Sequence, residues 1–180
     1  YLESFRRMVT GFREAMEAAR SPGPYRRLLC FLGINASVYP LLLSACAEDV
    51  CEELFNVLEV LDLRVYKVRG TNPRADLYRD VISKIKIDGD AHKARGGIRE
   101  FIQSFMGDDE FRQYLHGGID DRGGAVRYIL WHYQDEVLRN CDYELPEFDR
   151  WDYDLYQDVE MEHIFPKSET IALPGYGFED

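Results

Sequence analysis

No uninterrupted apolar run in this sequence approaches the ~20 residues needed to cross a bilayer, and its start lacks a charged-then-apolar signal pattern. No membrane surface is expected among its partners, and a cytoplasmic location follows by default. Paired cysteine motifs are missing too. Cys30, Cys46, Cys51 and Cys141 form no C-x-x-C pair and have no histidine at zinc-finger spacing. Three of them sit in apolar helical patterns, which predicts buried free thiols. Positive charge is also scarce: the formal net charge is −11. That argues against a free-standing nucleic-acid-binding surface, because affinity for DNA comes largely from cations on phosphates. The glycine-rich tract at residues 116–124 has no strand before it and no Gly-Lys-Ser/Thr end, so it does not read as a phosphate loop.

What is present is enough apolar material for one sizeable core. The chain has 180 residues, 46% of them hydrophobic and 13% aromatic, which suits one domain with a small appendage. It begins at Tyr1 rather than at a methionine and is expected to be a piece of a longer polypeptide. Steps of three and four recur throughout residues 1–140, and they predict a mainly α fold, a bundle of about six or seven helices. Leu2, Phe5, Val9, Phe12, Met16 and Ala19 form the stripe of a first amphipathic helix, ended by Ser21-Pro22-Gly23-Pro24. A short helix closes at Gly33, and Ser37 is positioned to cap an apolar helix through Ala47. Leu54, Leu58, Leu61, Val65 and Val68 continue the rhythm. After Asn72-Pro73 a helix runs to about Ile87, and the next spans residues 91–106, with Gly96-Gly97 weakening its first half. A short helix at residues 110–115 and a strong one at residues 125–140 complete the series. His132, inside the last, reads as an ordinary helix residue rather than a ligand.

The remaining forty residues differ. Residues 1–140 hold 20 basic and 21 acidic side chains, whereas residues 141–180 hold 2 and 12. We divide the chain accordingly into a helical domain, 1–140, and an acidic segment, 141–180. Trp151, Tyr153 and Leu155 alternate with aspartates as a half-buried strand or extended connector would. Near the end stands Glu162-His163-Ile164-Phe165-Pro166-Lys167-Ser168, a carboxylate next to a histidine with a proline three positions on. Such a stretch suits a strand that delivers two polar groups and then stops. In a regular strand the two side chains point to opposite faces, so they cooperate only if the backbone bends ahead of Pro166.

This stretch resembles the first strand of the ββα-metal (HNH) nuclease hairpin in the variant of the GmrSD-type, modification-dependent (type IV) restriction endonucleases. Looser resemblances lie in Arg127-Tyr128-Ile129-Leu130-Trp131, similar to the helix before that strand, and in the arginine-bearing run at residues 61–70. The resemblance implies that His163 is the general base and that Glu162 helps hold a divalent metal such as Mg²⁺. It also implies metal-dependent cleavage of modified or phage DNA in the full-length protein. Two family features are missing. The chain ends before an Asn-bearing second strand and its helix, and it has no Asp-Gly-Gln-Gln-Arg motif of a ParB-like half. The 141–180 segment would thus be an acidic connector and the first strand of a truncated nuclease motif, with weak DNA binding and little cleavage on its own. Self-association into a homo-oligomer is compatible with this reading. The alternative is a non-catalytic helical regulatory or protein-interaction module in which the Glu-His strand pairs with a partner edge.

Overall fold

The computed structural model describes residues 1–70, 75–88, 90–117, 124–140 and 150–158. Over these residues the chain is mainly α, with nine α-helices and no strand. They are α1 (Leu2–Ala18), α2 (Pro24–Arg26), α3 (Tyr39–Ala47), α4 (Cys51–Leu61), α5 (Ala75–Asp88), α6 (Ala91–Met106), α7 (Asp108–Gly117), α8 (Ala125–Asn140) and α9 (Tyr153–Asp158). Two continue without a break into wider π-helical turns, α2 into Arg27–Leu32 and α4 into Asp62–Val68. The strand expected around Glu162 and His163 lies outside the described residues.

Helices α3 to α6 enclose the centre. Leu41 and Leu42 of α3, Leu54, Leu58 and Leu61 of α4, Val81 and Ile85 of α5 and Ile98 of α6 are all fully buried. Full burial of one such side chain contributes about 1.5–3 kcal/mol. Asn35, rather than Ser37, supplies the cap before α3: its Oδ1 accepts from the Ser37 amide at 3.0 Å, and a short 3-10 turn, Ala36–Val38, precedes the helix. Helix α6 runs straight through Gly96-Gly97. The Asp90 carboxylate caps it by accepting from the Lys93 amide at 3.0 Å.

Only part of the apolar stripe of α1 packs. Leu2, Phe5, Val9 and Met16 are exposed, while Ala15 and Ala19 are buried and Phe12 is half-buried, edge-on to Tyr39. Gly11 decides this orientation. A Cβ there would stand 2.6 Å from the Cys46 carbonyl oxygen, so the backbones of α1 and α3 approach only because that side chain is missing. The small residues Gly11 and Ala15 dock, and the large ones turn outward.

Two further expectations are corrected. Cys46 and Cys51 are joined as a disulfide across the α3–α4 turn, where Asp49 takes the left-handed conformation (φ 55°), rather than standing as free thiols. The turn folds the end of α3 back on the start of α4, an arrangement not visible in the helical pattern. Cys30 is free and half-buried; Cys141 lies outside the described residues. Residues 153–158 form helix α9, not an extended connector. Asp152 starts it, accepting from the Leu155 amide at 2.9 Å, and the three-residue step from Tyr153 to Tyr156 brings both rings onto Phe31.

Candidate functional site

Glu162 and His163 fall outside the described residues. The described structure gives the platform ahead of them, α8 and α9 packed on the π-helical turn Arg27–Leu32. Aromatic rings hold that platform. Phe31 meets Tyr156 at 4.8 Å between centroids, and Trp131 stands edge-on to Tyr156 at 5.2 Å. The Trp131 indole N–H also donates to the Arg150 carbonyl at 3.1 Å, tying the return of the chain to α8.

A polar knot joins this platform to the core. Arg27 Nε donates to Glu59 Oε2 at 2.7 Å, the Tyr128 hydroxyl donates to Glu59 Oε1 at 2.8 Å, and Arg27 Nη2 donates to Asn56 Oδ1 at 3.1 Å. Burial, then the Glu59 charge, pushes the Tyr128 hydroxyl far above its ordinary value, so it remains a proton donor. His132 stands edge-on to the Tyr128 ring at 4.5 Å. Burial lowers its pKa against the opposing pull of Glu59 and Asp135, which keeps the imidazole neutral near pH 7. Asp135 accepts from Arg150 Nη1 at 3.1 Å. Between them lies a cavity of about 50 Å³ bordered by His132, Asp135, Arg150 and Trp151. That is room for water but not for an organic substrate.

On the other side of α8 a cavity of about 420 Å³ opens between Cys30, Gly33, Arg127, Tyr156 and Gln157. Arg127 reaches the Gln157 carbonyl at 3.5 Å, and its Nε is buried with no hydrogen-bond partner among the described residues. Burial raises the Tyr156 hydroxyl to about 12 despite Arg127 nearby, so it too acts only as a donor or neutral acceptor. Among the described residues no group of three or more His, Cys, Asp or Glu side chains is gathered as a metal site.

The arginine-bearing run at residues 61–70 makes ion pairs within the fold. Arg64 pairs with Asp108, and Arg69 Nη1 donates to Glu110 at 2.8 Å, so both fasten α7 to the π-helical turn. Within that turn Asp62 is fully buried. Its Oδ1 accepts from the Asn35 amide at 2.9 Å, and Lys67 Nζ stands 3.8 Å from Oδ2. Desolvation outweighs both and raises the carboxyl to about 6. Glu59, Asp62 and Arg27 carry no signal in the sequence because their partners are remote in the chain: Tyr128 lies 69 positions from Glu59. No protein-family model, no curated protein and no solved structure matches this chain.

Proposed function

We propose that the chain is the helical part of a metal-dependent HNH-type DNA endonuclease of the modification-dependent (type IV) restriction kind, acting in defence against phage. The observation that carries this reading is the run Glu162-His163-Ile164-Phe165-Pro166-Lys167-Ser168. Phosphodiester hydrolysis needs a water deprotonated near neutral pH, and a histidine suits that task. Glu162 offers the hard oxygen that Mg²⁺ prefers. Two adjacent donors do not fill the shell of such an ion, so further ligands come from the substrate phosphate, water or the rest of the protein. When bound, the ion would stabilise charge on the scissile phosphate and leaving oxygen.

The fold supports the reading in one respect. Helix α9 is pinned through Tyr156 to Phe31 and Trp131, and it ends at Asp158. Glu162 comes four residues later, at most roughly 14 Å of chain. In the full-length protein, His163→Ala is expected to lower cleavage by on the order of 10²–10⁴ with the melting temperature unchanged. Unchanged specific activity in that variant would remove His163 from the mechanism.

A second reading draws on the exposed Leu2, Phe5, Val9 and Met16 of α1. Under it the chain is a non-catalytic regulatory or protein-interaction module. His163→Ala then lowers the melting temperature and leaves any activity per folded molecule intact, the reverse of the nuclease forecast.

A further inference from the structure

A cavity of about 470 Å³ opens between α4, the π-helical turn after it, and α6. Its apolar wall is Val57, Val60 and Ile102; Val57 and Ile102 are almost fully covered, and Val60 is 37% exposed. Arg95 and Arg99 also line it. These two residues are one helical turn apart on the same face of α6. Like charges at that spacing weaken a helix by roughly 0.2–0.5 kcal/mol. Neither guanidinium has a hydrogen-bond or ion-pair partner among the described residues, a state shared with the exposed Arg6, Arg13 and Arg79, whereas Arg7, Arg20, Arg27, Arg64, Arg69, Arg112 and Arg150 each hold a carboxylate. In a chain with 33 acidic and 22 basic side chains, partners for arginine are abundant. Two arginines left together without one, beside an apolar wall, fit a ligand rather than a structural role.

The charge in the cavity narrows the ligand. Arg64 also lines it but is neutralised by Asp108. The positive charge left over is that of Arg95 and Arg99, opposed by Glu53, which lines the same cavity. A guanidinium fork matches phosphate or carboxylate oxygens two at a time. Two forks favour the dianion, and a phosphomonoester carries close to two charges at pH 7. The volume exceeds what inorganic phosphate needs, and the aliphatic wall calls for an apolar body. We propose that the α4–α6 cavity binds a small phosphomonoester, its phosphate held between Arg95 and Arg99 and its body lying against Val57, Val60 and Ile102. The proposal is independent of the nuclease reading, since it uses neither Glu162 nor His163.

The test is calorimetric titration of the 180-residue chain with phenyl phosphate, inorganic phosphate and benzoate. Phenyl phosphate is expected to bind saturably at one site and more tightly than the other two probes. Arg95→Gln with Arg99→Gln should weaken it at least about tenfold, the loss of one charge-assisted hydrogen bond or more, with an unchanged circular dichroism melt. If the double variant does not fold, Arg99→Gln alone, at an exposed position, must still weaken binding by about threefold or more. Absence of saturable binding, or equal affinity in a folded variant, would overturn the proposal. So would binding of a duplex oligonucleotide through these arginines without any binding of phenyl phosphate, which would make them contacts to a nucleic-acid backbone.

Discussion

Helix α4 meets its neighbours in two ways. Toward α3, α5 and α6 it presents Leu54, Leu58 and Leu61, fully buried among Leu41, Leu42, Val81, Ile85 and Ile98. Toward α8 it presents Glu59, held by Arg27 and by the Tyr128 hydroxyl, with the rings of Trp131, Tyr153 and Tyr156 around Phe31 beyond. The first contact is non-directional and scales with area removed from water. The second is fixed by a few hydrogen bonds of set length, which position α8 and α9 more narrowly than apolar contact would. Stability is expected to concentrate on the first side, and placement of the chain ahead of Glu162 on the second.

The largest expected effect tests the apolar side. Leu58→Ala should cost about 2–5 kcal/mol, since a fully buried leucine leaves a cavity that its neighbours only partly fill. Urea midpoints measure it. A cost no larger than that of the polar-side variant Tyr128→Phe would break the division.

Asp62 is the exception inside the apolar side, and its pH dependence sharpens the comparison. Its carboxyl titrates near 6 in the folded chain against an ordinary 3.8. Between those values the folded state holds a proton that the unfolded state has released. Stability from this residue is therefore greatest below about pH 4, falls by about 2–3 kcal/mol as pH rises to about 6, and is flat above. Asp62→Asn should abolish that fall in a series of urea titrations. His132, on the polar side, runs the other way. Its lowered pKa means that stability is lost as pH drops below its ordinary 6.5, so the two halves carry opposite slopes in neighbouring windows.

Gly11→Ala should cost about 1–3 kcal/mol, because the new Cβ would meet the Cys46 backbone rather than a yielding side chain. A thermal melt equal to that of the parent would mean that α1 shifts freely. The smallest effect is expected from Tyr128→Phe, about 1 kcal/mol, since Glu59 keeps Arg27 as a partner. Hydrogen exchange should then quicken in α8 and α9 and not in α3 to α6; uniform quickening would contradict a separate polar side.

Where helical periodicity coincides with the core, the sequence is readable. Leu54, Leu58, Leu61 and Val65 are buried as their spacing requires. Periodicity misjudges part of α1, because its packing face is chosen by close backbone approach at Gly11 and not by its largest apolar side chains. The alternation of Trp151, Tyr153 and Leu155 likewise suggests extended chain, although the aromatic step from Tyr153 to Tyr156 is helical. The polar knot has no local signature, since Arg27, Glu59 and Tyr128 come from distant segments that only the packing brings together. Glu162 and His163 are legible only as a motif.

The π-helical turn at Asp62–Val68 bears on how this chain can change. A π turn is an α-helix with one residue too many, carried without breaking the rod. Losing one residue there would return the segment to α-helical winding and swing the chain beyond it by about 100°. Arg69 would then leave Glu110, and α7 would lose one of the two ion pairs that fasten it. A single-codon deletion in this stretch would act as a twist, re-aiming an intact helix where substitutions can only weaken it.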